Sequence, residues 1–235
     1  MVGSSLREGN LFAPEGFGAD TTADGLFAAR SIVANYQSGL EVEPTSMPKL
    51  MDTLYPIAEY DDVAKNLTKY FAPFTQNAVF TPTNATNLQM VFGDVLLGCS
   101  AAFTAAAVAA QRNQDRPAYL YLFNHTSSNE LLGRLGPTHA SEIPYVFGTF
   151  EEYAVFTSSG RTTWTPTAFE QELSNTIMGY WLNFGRHLDP NGAADGSNLA
   201  TWPAAGCAGN NNFMVFGDDG AGEGARLSVV WTTLS

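Results

Sequence analysis

The sequence predicts an α/β fold in which an incomplete sheet is covered by several helices, and three observations lead there. The run Ala118-Tyr119-Leu120-Tyr121-Leu122-Phe123 is apolar or aromatic at nearly every position, as expected of a strand covered on both faces. Between Thr167 and Leu188, the residues Phe169, Leu173, Ile177, Tyr180, Trp181, Phe184 and Leu188 recur every three or four positions, the spacing of one helix face. Strand candidates are few (Met1 to Ser4, the run at Ala118 and Arg226 to Trp231), whereas helices of this length need a wide sheet to cover.

Taken in order, Met1 to Ser4 reads as a short strand. Thr21 to Tyr36 reads as a short helix with Leu26, Phe27, Ile32 and Val33 loosely on one side and Ser38-Gly39 as the next turn. Proline and glycine keep the chain irregular through Pro56, after which Asp61-Asp62 caps a helix to about Phe71. Thr86 to Gln114 is helical, with Leu88, Val91, Phe92, Val95 and Leu96 on its apolar face, and Gly93-Asp94 and Gly98 are its expected breaks. Asp189-Pro190-Asn191-Gly192 stops the helix of Thr167 to Leu188, and Gly206 to Gly224 reads as loop. Without repeats or a separating linker, residues 1–235 form one folding unit.

Charged residues are 14% of the chain, below the roughly 25% usual for soluble domains. Alanine, threonine, asparagine, serine and glycine fill the gap, a composition that suits a secreted protein. The formal charge of −12 repels phosphate backbones, which excludes nucleic acid as a partner. Three sequons, at Asn66, Asn84 and Asn124, would accept glycans in a secretory compartment. The opening residues nevertheless lack the basic and apolar regions of a signal peptide, and the apolar stretch from Ala101 to Ala110 is too short to span a bilayer. Cys99 and Cys207 allow one disulfide or two thiols, and their spacing fits neither a zinc nor a redox motif. Three histidines without ligand spacing give no metal site, and no cofactor is called for.

Two segments carry chemistry. In Gly3-Ser4-Ser5-Leu6-Arg7-Glu8-Gly9-Asn10-Leu11-Phe12 a carboxylate stands at the end of a strand, followed by a glycine that frees the backbone to turn. In Gly136-Pro137-Thr138-His139-Ala140-Ser141-Glu142-Ile143-Pro144-Tyr145-Val146-Phe147-Gly148 a histidine stands in a short loop before an apolar run. A carboxylate that orients an imidazole is the acid–base half of a nucleophilic triad. Glu142 is expected to hold the His139 loop as a buried supporting carboxylate, and Phe147 and Phe150 are candidates to line an acyl or alcohol pocket. His125 and His187 are read as products of local electrostatics, and Tyr180, Trp181 and Phe184 as core.

These two segments, together with Gly93-Asp94-x-x-x-x-Cys99, Tyr180-Trp181-x-Asn183-Phe184, Asp189-Pro190-Asn191 and Trp202-Pro203, resemble the type-B carboxylesterase and lipase family that includes the cholinesterases, especially its secreted fungal members. The resemblance implies the C-terminal portion of an α/β-hydrolase fold. It implies Glu8 as triad acid, His139 as general base, and a small-molecule or lipid ester as substrate of the complete enzyme. The nucleophile elbow Gly-x-Ser-x-Gly and the glycine-rich oxyanion loop are absent from the sequence. Residues 1–235 are therefore expected to be a partial domain that lacks its N-terminal half, inactive alone and either poorly soluble or partly disordered. The alternative is a non-catalytic binding protein or remnant, since the family also contains adhesion proteins.

Overall fold

The computed structural model describes residues 1–9, 90, 93–110, 117–129, 132–153, 155–157, 160–192, 199–205 and 212–217. The expected helices at 21–36 and 61–71, the strand at 226–231, Asn66, Asn84 and Cys207 lie outside the described residues. Within them, β1 (Val2–Ser5), β2 (Leu120–Asn124) and β5 (Phe213–Gly217) form a parallel sheet in the order β1-β2-β5. A short antiparallel pair, β3 (Val155–Thr157) and β4 (Gly160–Thr162), stands apart from it. The helices are α1 (Cys99–Ala110), preceded by a π-helical turn at Asp94–Gly98, then α2 (Ile143–Phe147) and α3 (Ala168–His187). This is a mixed α/β architecture consistent with part of an α/β-hydrolase fold.

Parallel strands need long crossovers, and here the connections carry the helices that cover the sheet. On one face α1 approaches through Ala101 and Ala105 onto Ala118, Leu120 and Ala205, small side chains that allow close contact. On the other face, Tyr119, Phe123, Met214 and Phe216 of the sheet region meet Tyr145 of α2, Leu173, Ile177 and Tyr180 of α3, and Trp202. Each of these large side chains stabilises the fold by roughly 1.5–3 kcal/mol on burial. Gly3 lies opposite Tyr121 in the ladder, and its missing side chain is what admits the ring: a Cβ there would stand 2.2 Å from Tyr121 Cδ1.

α3 runs as the periodicity predicts. Thr167 and Glu170 form a capping box at its start, and Arg186 and His187 occupy the last turn, where cations oppose the helix dipole. Tyr180 is core, as expected, while Trp181 and Phe184 are half-buried against it. Of the glycines expected to break the helix here, Gly93 precedes the π-helical turn and Gly98 is its last residue, and the chain stays helical into α1. One expectation is overturned: β5 falls inside the stretch read as loop. Phe213-Met214-Val215-Phe216 is a short apolar run masked by the asparagines and glycines beside it, and pairing with β2 makes it a strand. No described helix is long and apolar enough to cross a membrane.

Candidate active site

Strand β1 ends at Ser5, and the chain turns at once. The Leu6 amide donates to the Phe123 carbonyl of β2 at 2.9 Å, and the Arg7 amide donates to the Pro137 carbonyl at 2.8 Å. The second bond ties the turn that carries Glu8 directly to the loop that carries His139. Within the turn the Ser5 amide donates to Glu8 Oε1 at 2.6 Å, so one carboxylate oxygen is fixed by the backbone. The other, Oε2, accepts from His139 Nδ1 at 2.8 Å across 131 residues of sequence. The Glu8 side chain is 8% exposed, whereas that of His139 is 41% exposed. Gly93 lets the helical backbone close over this turn, since a Cβ there would stand 2.4 Å from the Gly9 nitrogen.

A carboxylate only accepts, so His139 donates from Nδ1, and in the neutral ring that arrangement puts the lone pair on Nε2. This is the tautomer a general base needs. The loop that holds the ring is bent by two residues with left-handed backbone, Gly136 (φ 69°) and Ala140 (φ 65°). Ala140 immediately follows His139 and pays a steric penalty that glycine would not.

Glu142, three residues beyond His139, accepts from Ser5 Oγ at 3.4 Å. Burial raises its pKa and the charge of Glu8 adds to this, against the opposing pull of its own amide, His139 and Ser5. Tyr121 is also pushed up, first by burial and then by Glu142 and Glu8, so its phenol stays neutral beside the two carboxylates. The two phenylalanines expected to line a pocket are placed differently from each other. Phe147 is 68% exposed, but Phe150 is 3% exposed and packs edge-on against Tyr145 and Trp164 at 5.1 and 4.8 Å. Phe150 thus packs in the core cluster with Tyr145 and Trp164.

His125, read from the sequence as a product of local electrostatics, is paired with a carboxylate. It is buried and donates from Nε2 to Glu170 Oε1 at 3.4 Å, with Nδ1 lacking a hydrogen-bond partner among the described residues. Glu170, fully buried, accepts further bonds from Ser128 N (2.7 Å), Ser128 Oγ (2.5 Å), Tyr145 Oη (2.9 Å) and Thr167 N (2.7 Å). Burial by itself raises its pKa, but the donors from His125, Ser128 and Thr167 outweigh this and hold it well below the ordinary carboxylate range. The pattern Thr167-x-x-Glu170 before an apolar helix was the available signal for this cluster. It marks the helix start without disclosing the partners folded in from elsewhere.

Asn124 is half-buried at the end of the central strand, and Cys99 is an exposed free thiol. Among the described residues no group of three or more His, Cys, Asp or Glu side chains could hold a metal ion.

The carboxylesterase family model matches residues 1–225 of the chain. Acetylcholinesterase of Danio rerio is 37% identical over 94 residues, 39% of this chain and 13% of that protein. Cocaine esterase of Homo sapiens is 31% identical over 121 residues, 49% of this chain, and acylcarnitine hydrolase of Rattus norvegicus is 30% identical over 119 residues, also 49% of this chain. The aligned stretch amounts to 19% of each of these two proteins, so the chain spans a minor part of the relatives it matches. With a match over nearly its whole length and a carboxylate–imidazole pair held between two loops of a parallel sheet, this chain belongs to the carboxylesterase family.

Proposed function

We propose that this chain supplies the acid and the base of a serine-type carboxylic-ester hydrolase, with Glu8 as acid and His139 as base. The serine nucleophile would come from polypeptide outside these 235 residues, the chain corresponding to the C-terminal portion of the catalytic domain. The observation that carries the reading is the 2.8 Å bond from His139 Nδ1 to a Glu8 carboxylate that the Ser5 amide has already oriented. In such a site Nε2 takes the serine proton as the hydroxyl attacks the ester carbonyl. It then returns that proton to the departing alkoxide, while Glu8 stabilises the imidazolium formed in between. A water activated by the same nitrogen releases the acyl group. Glu8 does not itself take the proton.

The sequence holds no Gly-x-Ser-x-Gly, which supports inactivity of the isolated chain. The purified chain should neither hydrolyse a short-chain p-nitrophenyl ester nor be labelled by a fluorophosphonate. Genomic DNA just upstream should encode an in-frame Gly-x-Ser-x-Gly, and expression of the joined reading frame should give labelling at that serine. In that joined protein, loss of hydrolysis in His139→Ala is expected, and full activity in His139→Ala would refute the assignment. The spelling of the segment from Gly136 to Gly148 supports a secreted enzyme of the fungal branch, and the sequons support its glycosylation. The absent elbow also supports a second reading, a non-catalytic binding protein. A stop codon with no elbow-coding sequence upstream would favour it.

A further inference from the structure

The cluster around Glu170 lies outside the acid–base pair, yet its bonds reach both of the elements that build it. On one side Glu170 holds the segment that leaves β2. Ser128 N and Oγ and His125 Nε2 all donate to its carboxylate, and Trp164 Nε1 donates to Ser128 Oγ at 3.1 Å. That segment begins just beyond Phe123, whose carbonyl holds the Leu6 amide of the Glu8 turn. On the other side Glu170 holds α2, through the Tyr145 phenol at 2.9 Å, and Ser174 one turn along α3 holds the Tyr145 carbonyl at 2.8 Å. Tyr145 is thus fastened to α3 at both its ring end and its backbone.

From Tyr145 the chain runs back to His139 in an unbroken series of turn bonds. The Tyr145 amide donates to Glu142 O at 3.0 Å, Ile143 N to Ala140 O at 3.3 Å, and Ser141 N to Thr138 O at 3.1 Å. These three bonds overlap along the chain from Thr138 to Tyr145, and the residue next to His139 is already in a strained conformation. Rotation or recession of α2 would therefore be passed to the imidazole.

We propose that Glu170 is a positioning residue for the acid–base pair: by joining the segment after β2 to Tyr145 of α2, it fixes the geometry in which His139 donates to Glu8. This rests on the reading of Glu8 and His139 as acid and base. It adds a carboxylate that touches neither the substrate nor the reacting atoms. The arrangement makes the Nδ1–H tautomer of neutral His139 dependent on a buried carboxylate on α3.

The test is the tautomer ratio of neutral His139, read from imidazole nitrogen chemical shifts in the full 235-residue chain. The wild-type ring should be predominantly Nδ1–H. In Tyr145→Phe, which removes one hydroxyl and keeps the ring, the Nδ1–H to Nε2–H ratio should fall about five- to tenfold, the equivalent of one hydrogen bond. Glu170→Gln should lower it at least as far. Tyr180→Phe is the control, since it removes a buried phenol bond of the same helix, Tyr180 Oη to Ala200 O at 2.6 Å, whose acceptor lies outside α2. An unchanged ratio in folded Tyr145→Phe overturns the proposal even if Glu170→Gln fails to fold. An equal fall in Tyr180→Phe overturns it as well, because loosening would then be general. A wild-type ring that is predominantly Nε2–H would instead defeat the acid–base reading.

Discussion

Replacing Glu170 by glutamine removes a charge and one acceptor edge while keeping the volume. The carboxylate accepts five bonds, from Ser128 N, Tyr145 Oη and His125 Nε2 on Oε1 and from Ser128 Oγ and Thr167 N on Oε2. A carboxamide can keep only one of these edges as oxygen. In its less damaging orientation the nitrogen faces Thr167 and Ser128. The Ser128 hydroxyl can turn to accept, but the Thr167 amide is left as an unsatisfied donor, at about 1–3 kcal/mol. The retained bonds lose charge assistance, a further loss of about 1 kcal/mol each, set against the relief of no longer burying a charge. The net expectation is a destabilisation of about 2–4 kcal/mol, or roughly 5–15 °C in Tm for a chain of this size. Urea unfolding followed by tryptophan fluorescence measures it. The same argument fixes the pH dependence. Because the folded-state pKa of Glu170 is depressed, its contribution is complete above the ordinary carboxylate pKa and is lost as pH falls through that range toward the folded value. Glu170→Gln should therefore flatten the acid limb of the stability profile. A loss below about 1 kcal/mol, with the acid limb unchanged, would refute the view that these five bonds matter.

Three further outcomes are expected. Ala140→Gly should raise stability by about 0.5–1 kcal/mol, because glycine adopts φ 65° without the steric penalty; a lower Tm would contradict this. Gly3→Ala should cost about 1–3 kcal/mol and displace Tyr121, since the new Cβ would fall 2.2 Å from its ring, and near-UV circular dichroism should register the movement. Glu142 has the opposite sign to Glu170: its folded-state pKa is raised, so its contribution is complete below the unfolded pKa and declines as pH rises through the folded value. Glu142→Gln should make the chain less sensitive to pH over that interval, and an unaltered profile would show that Glu142 ionises without cost.

How much was legible in the sequence depended on whether the signal was local. The periodicity from Thr167 to Leu188 and the apolar run at Ala118 gave α3 and β2 to within a few residues, because a helix stripe and a doubly buried strand leave their pattern in consecutive residues. Glu8 and His139 were named from their flanking motifs, and the structure brings their side chains to 2.8 Å. β5 was lost because only four apolar residues mark it and its strand character comes from pairing with β2. Phe150 was named by its proximity to His139 along the chain, whereas its packing against Tyr145 and Trp164 depends on residues separated from it in sequence. The Glu170 cluster was missed for the same reason: its donors come from residues 125, 128, 145 and 167, and nothing in any one of those stretches announces the others.

The link between the Glu8 turn and the His139 loop, Arg7 N to Pro137 O, uses main-chain atoms on both sides. Substitution can alter every side chain in the two loops and leave that bond in place, with proline at position 7 as the exception because it has no N–H to donate. The mutual placement of Glu8 and His139 is in this respect encoded in the path of the chain. Loops of this kind are free to diverge in sequence, and so to reshape whatever lies around His139, without separating the pair.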